Sequence, residues 1–335
     1  ALVIEVEPCW TNIQKREMHL RASLLGGPAT RSPAPLCAAG SPLFVLSLAC
    51  LIDSEQEETI TSWRAAGSLW PDLTAATCEL EGTPGLLGAR KAWSGGSWDG
   101  LQGTGAGGLP RWLGAKLRQL RPVVGSSLDS VLLLRLCAEE ALAAGPGKRP
   151  LTVGEMSTNW GPDLREALVA RYSTSEAEVS SAFASAREAW MAEDSAGWRA
   201  AHRWHEGAIA PLRRALRRAS EEGGHGVRVL SAMPPRTTEE LLSHAQLGGG
   251  IECCEAAAAE ATLVTLRQRW PDADMVYIDD RAEAVRAAAA DVRLLSLRLA
   301  YAEWGSASPS QAALAASFPR VRRLVNPSDL AAVLE

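Results

Sequence analysis

From residue 208 to the C-terminus, short apolar runs alternate with helical stretches, and this alternation limits the fold more than any other feature of the chain. Strand-like runs fall at Val227–Leu230, Met275–Ile278, Val292–Leu297 and Val321–Leu324. Helical patterns separate and flank them: Ala208–Glu222, Thr238–Ala245, Glu255–Trp270, Ala282–Ala289, Ser310–Ala316 and a terminal helix from Ser328. A parallel pair of strands needs a long crossover, usually a helix, whereas a hairpin needs only a tight turn. Strand, helix, strand in regular succession therefore predicts βαβ units, an α/β fold and a parallel sheet.

One more strand is expected far upstream. Leu43–Ile52 is apolar without alternation, as suits a central strand covered on both faces. It runs into Asp53-Ser54-Glu55, a helix-start sequence, and a helix through Leu69. From Leu128 to Gly207 the pattern is helical throughout, with Trp160, Trp190, Trp198 and Trp204 placed as packing anchors. A first strand, a long helical excursion and a return to βαβ predict a core built from residues 41–60 and 208–335 with a helical cap, 61–207, inserted between. Residues 1–40 read as an extension: a short strand at Leu2–Val6, a weak helix at Gln14–Leu25 and the linker-like GGPATRSPAP. Residues 81–110, with the glycine-rich GGSWDGLQGTGAGG, read as a surface insertion, since no strand leads into their glycines as a phosphate loop would require.

Composition excludes several classes of function. A net charge of −5 gives no basis for a nucleic-acid surface. The cluster Arg213, Arg214, Arg217, Arg218 spans one helical turn and reads as a solvated face, or else as a docking or phosphate-steering patch. The seven cysteines contain no C-x-x-C pair, which favours reduced thiols over zinc or a disulfide framework. His202 and His205 share a helical face only loosely and have no second ligand pair. The apolar stretch from Pro35 to Ile52 is broken by Pro42 and Gly40, so no transmembrane segment is expected. The chain starts at Ala1, consistent with a processed or an engineered start.

Ligands of open parallel sheets bind at the carboxyl ends of the strands. Those ends carry Asp53, Ser231, and the pair Asp279 and Asp280. The order strand–turn–Asp-Ser, strand–Ser and strand–Asp-Asp resembles motifs I, II and IV of the haloacid dehalogenase (HAD) superfamily. The resemblance is closest to a branch of photosynthetic organisms assigned to plastids. It is carried in order by DSEQEETITSWRAAGSLWPDL (53–73), LRPVVGSSLDSVLLLRL (120–136), AWMAEDSAGWRAAHRWHEG (189–207), VRVLSAMPPRTTEELL (227–242), VYIDDRAEAV (276–285) and YAEWGSASPSQAALAASFPRV (301–321). It implies a HAD-like Rossmannoid core with a helical cap, and a plastid location.

The family's chemistry forms an aspartyl-phosphate on an aspartate ending the first strand, assisted by a second aspartate two residues on and by Mg²⁺. Carried over on Asp53-Ser54, these aspartates fall on Leu46 and Leu48, which can neither attack phosphorus nor bind a metal. Ser231 and Arg236 match the phosphate-binding motif II, and Asp279, Asp280 and Arg281 match motif IV, the metal positions. Motif III fails, because no lysine follows Lys148. With these motif positions lost, the resemblance implies a catalytically degenerate protein, a structural, assembly or regulatory subunit, and the segments 1–40 and 81–110, which fall outside the resemblance, are expected to dock protein partners. No cofactor is expected, with Mg²⁺ entering only alongside residual activity. The alternatives are a Mg²⁺-dependent phosphohydrolase with a rebuilt site, drawing acids from Asp53, Glu5 or Glu7, and a phosphate-ligand binder without turnover using Ser231, Arg236 and Arg281.

Overall fold

The computed structural model describes residues 41–80, 108–144, 149–255, 259–305 and 309–334. Eight strands are described: β1 Pro42–Ser47, β2 Ile52–Asp53, β3 Arg203–Trp204, β4 Gly226–Ser231, β5 Ile251–Glu255, β6 Asp274–Asp279, β7 Arg298–Ala302 and β8 Val321–Leu324. Six of them form one parallel sheet in the order β5-β4-β1-β6-β7-β8. The fold is α/β, as the sequence pattern requires.

β1 is central because it can be covered on both faces. Phe44 and Leu46 face one apolar cluster, Leu43 and Val45 the other, and none is more than 4 % exposed. Helices α9 (Ile209–Glu222), α10 (Pro235–His244) and α14 (Ala331–Leu334) cover the first face. Helices α11 (Ala259–Arg269), α12 (Ala282–Ala290) and α13 (Pro309–Ala316) cover the second.

Between β2 and β3 lies a layer of helices: α1 Glu55–Leu69, α2 Pro71–Glu79, α3 Arg111–Leu120, α4 Ser127–Leu142, α5 Val153–Asn159, α6 Pro162–Arg171, α7 Glu176–Glu193 and α8 Ser195–Ala200. It has a core of its own, built on Trp63, Trp112, Leu113, Leu132, Val179 and Phe183. α1 runs unbroken through residue 60, where the sequence pattern placed the edge of the cap. Trp190 and Trp198 are buried in the cluster shared with the sheet.

Five expected elements differ, the first being the end of the stretch expected to be helical through Gly207, where Arg203–Trp204 form β3. The apolar run Leu43–Ile52 is not one strand: β1 ends at Ser47, Leu48–Cys50 make a 3-10 turn, and Ile52–Asp53 leave to pair antiparallel with β3. The expected strand Val292–Leu297 is instead a 3-10 turn, Val292–Leu294, capped by the Asp291 carboxylate, which accepts the Arg293 N–H. Arg320 donates to the carbonyls of Leu294, Leu295 and Leu297, and the strand follows at Arg298. The helix expected from Glu255 hides the edge strand β5. Gly249 and Gly250, at φ +86° and +90°, turn the chain into it, a conformation that side chains disfavour. The terminal helix begins as a 3-10 turn, Pro327–Leu330.

The extension 1–40 and most of the 81–110 insertion lie outside the described residues, and so do Glu5 and Glu7. Among the described residues no helix is long and apolar enough to cross a membrane. No disulfide joins the described cysteines; Cys50 and Cys137 are buried, whereas Cys78 is exposed.

Candidate functional site

The neighbouring strands β4, β1 and β6 end together. Ser47 lies beside Leu230 in register, and Leu46 lies beside both Val229 and Ile278. This brings Leu46, Leu48, Ser231, Asp279 and Asp280 to one edge of the sheet. All five are closed to solvent, at 0, 5, 4, 1 and 2 % exposure.

Each polar member is tied to a local partner. The Ser231 hydroxyl oxygen accepts the Met233 N–H at 2.9 Å and turns the chain toward α10. Asp279 accepts the Tyr277 phenol on one oxygen and the Arg281 N–H, at 2.9 Å, on the other. The Arg281 guanidinium stands 3.6 Å from the same carboxylate. Burial, and then the charge of Asp280, push the Asp279 carboxyl up to about 6. Asp280 accepts the Ser47 hydroxyl at 3.3 Å. Gly305 packs so closely that a Cβ there would come within 2.9 Å of the Asp280 carboxyl carbon, a contact only glycine permits.

The apolar positions complete the closure. Leu46 and Leu48 belong to the same cluster as Ile60, Trp190, Trp198 and Met233. That cluster fills the space between sheet and helical layer at the carboxyl end of β1. Burying such a leucine contributes roughly 1.5–3 kcal/mol. Arg236, in the first turn of α10, is exposed, and so is half of the Arg281 side chain.

Mg²⁺ demands near-octahedral oxygen ligation, usually from one or two carboxylates together with waters. Here the strand end offers leucine at two positions, and both Asp279 oxygens are already engaged. Among the described residues no group of three or more His, Cys, Asp or Glu could hold a metal. The donor set as arranged does not fit the ion.

Asp53 is not part of this edge cluster in a chemical sense. It caps α1 by accepting the Glu55 N–H at 3.0 Å and pairs with Arg203 at 2.6 Å. Burial opposes its ionisation, but the Glu55 N–H and Arg203 overcome it and hold the carboxyl below its ordinary value.

The sequence reading overlooked a second polar group, immediately beyond Asp53. Glu57, whose place in the first turn reads from sequence as a helix-start charge interacting with the dipole, is fully buried. Arg187 of α7 grips it with two hydrogen bonds, of 2.7 and 2.8 Å, and Thr61 and the Trp198 indole N–H donate to it at 2.8 and 3.4 Å. Burial alone would raise its pKa, yet Arg187 holds it below the usual value. Its neighbours Glu55 and Glu58 pair with Arg118 and Arg121. Across from them His202 Nδ1 lies 3.0 Å from Ser54 Oγ, with the imidazole edge-on to Trp198. Burial lowers the His202 pKa to about 4. His205 Nε2 lies 3.1 Å from the carbonyl oxygen of Ala49, in the turn after β1. No local pattern announces these pairs; Glu57 and Arg187 are 130 residues apart.

No protein-family model and no curated protein matches the chain. Among solved structures, a candidate phosphatase from Clostridium difficile is similar at 9 % identity and a TM-score of 0.45, covering 88 % of this chain and 99 % of that one.

Proposed function

We propose that this chain is a catalytically degenerate HAD-like protein that works as a structural, assembly or regulatory subunit, not as a phosphohydrolase. The observation that carries the reading is Leu46: where the resembling family attacks phosphorus, this strand end presents a fully buried alkyl side chain. A missing nucleophile typically costs ~10⁴–10⁶ in rate, and the remaining groups of such a unit recover little of it. The ties on Asp279 and Asp280 support the same reading, because each carboxylate is engaged in holding the strand end together. A plastid complex as its setting rests on the resemblance alone, and partners bound through 1–40 and 81–110 rest on those segments falling outside it.

The test is a phosphatase assay with Mg²⁺ on an aryl phosphate and a panel of phosphorylated metabolites, using the full chain and Asp280→Asn. No turnover in either is expected. Turnover that vanishes in Asp280→Asn would overturn the reading and favour a rebuilt active site, with Glu5, Glu7 and Asp53 the next residues to change.

A second reading, binding of a phosphorylated ligand without turnover, is favoured by one observation. Arg236 is exposed in the first turn after β4, and the Arg281 side chain beside Asp279 is half-exposed. Inorganic phosphate would then raise the melting temperature of the wild type but not of Arg236→Ala.

A further inference from the structure

Glu55, Glu58, Thr59 and Ser62 of α1 follow the i, i+3, i+4, i+7 spacing that puts side chains on one helix face. That face and parts of α3 and α4 enclose a cleft of about 290 Å³, its open mouth included. The enclosed part admits a group about the size of one water. The residues that line it are not those of the sheet edge. Arg118 holds Glu55 at 2.9 Å and Arg121 holds Glu58 at 2.8 Å, but the cations are the more exposed partners. Their side chains are 32 and 28 % exposed, against 17 and 18 % for the carboxylates. Negative charge is thus buried deeper than the positive charge paired with it. Burial leaves the Glu55 carboxyl above its ordinary value in spite of Arg118. Ser62 is wholly buried, and among the described residues its hydroxyl finds no hydrogen-bond partner. Such an orphan costs about 1–3 kcal/mol, so an occupant that supplies the missing bond is favoured.

We propose that this cleft binds the protonated head of a small aliphatic primary amine. An ammonium group is compact and carries three donors and no acceptor. The cleft offers it what it needs: the Glu55 and Glu58 carboxylates and the open acceptor of Ser62. Leu117 and Val124 supply an apolar wall for the alkyl stem. An anion would instead face two carboxylates, and a neutral alcohol would bring a single donor. This inference goes beyond the degenerate-subunit reading and does not rest on it, since the cleft shares no residue with the strand end.

The experiment is calorimetric titration of the full chain at neutral pH with n-propylammonium chloride, against n-propanol and tetramethylammonium chloride at matched ionic strength. The expected result is saturable binding of propylammonium alone. It should weaken by about tenfold or more in Glu55→Gln and by about two- to tenfold in Ser62→Ala. Equal binding of propanol would mean that the apolar wall alone is recognised, and equal binding of tetramethylammonium that charge alone is. Either overturns the proposal. No saturable binding would leave a bound water as the sole occupant and overturn it as well. Should Glu55→Gln fail to fold, Ser62→Ala decides, because it removes no hydrogen bond among the described residues. Unchanged affinity in that variant would overturn the site.

Discussion

Two groups of buried carboxylates lie on either side of residues 48–54, where the chain leaves the sheet for the helical layer, and they meet the cost of burial in opposite ways. At the sheet edge, Asp279 and Asp280 are adjacent in sequence and repel each other; the cation nearest Asp279 sits at 3.6 Å with its side chain half in solvent. The result is a carboxyl pushed up to about 6. In the helical layer, Glu57 is equally buried, but a planar guanidinium meets both its oxygens and two further donors complete the shell. Its carboxyl is held below the ordinary value. Depth of burial is the same in the two places; geometry of the partner decides the sign.

The strongest way to break this contrast is to remove one partner from each group. Arg187→Met should cost about 3–5 kcal/mol in urea unfolding, because it strands a desolvated charge. Asp279→Asn should cost far less, since it removes a carboxylate that already resists ionisation. A larger loss for Asp279→Asn would reverse the assignment of which pair holds the fold.

The two regions also predict opposite pH dependence. Asp279, raised from 3.8 to about 6, contributes stability that is fully present below pH 3.8 and lost as pH rises through 6. His202, lowered from 6.5 to about 4, contributes stability present above pH 6.5 and lost as pH falls toward 4. Each amounts to up to about 3 kcal/mol. They should largely cancel between pH 4 and 6 in the wild type, in metal-free buffer. His202→Asn should unmask a stability that falls with rising pH, and Asp279→Asn one that rises. Parallel slopes in the two variants would show that these groups do not govern the profile.

Smaller changes sharpen the outline of the sheet edge. Ser231→Ala removes the acceptor for the Met233 N–H and should cost about 1 kcal/mol. Arg236→Ala, at an exposed position, should stay within about 0.5 kcal/mol by thermal unfolding.

What could be read from the sequence follows from how local each signal is. β4 and β6 are short, largely apolar runs, and β8 (VRRL) keeps apolar ends around two exposed arginines; the structure places all three within two residues of the expectation. β5 escaped because an edge strand is half solvated, and IECCE carries too little apolar character to stand out beside the alanine-rich segment after it. The strand at 298–302 was shifted because Val292 and Leu295 look like strand residues yet are 77 and 65 % exposed. Chain direction alone brought Ser231, Asp279 and Asp280 to one edge. Their closure was not legible: it depends on Tyr277 and Ser47, on a glycine at 305 and on tryptophans from another layer. The Glu57 group was the least legible, since its members come from four separate stretches of chain.

The central place of β1 has a consequence for how the chain is made. Its partners are β4 and β6, so Leu43 waits for Gly226, about 180 residues downstream, before either edge can pair. At typical rates of synthesis that delay is on the order of ten to forty seconds. Through it an unpaired strand as apolar as Leu43–Leu46 stays exposed, while the helical layer, built from nearer neighbours, has time to form. A ribosome that released the nascent chain before β4 emerged would release an aggregation-prone intermediate, and a chaperone that shields the strand during that interval would govern yield more than any change in final stability.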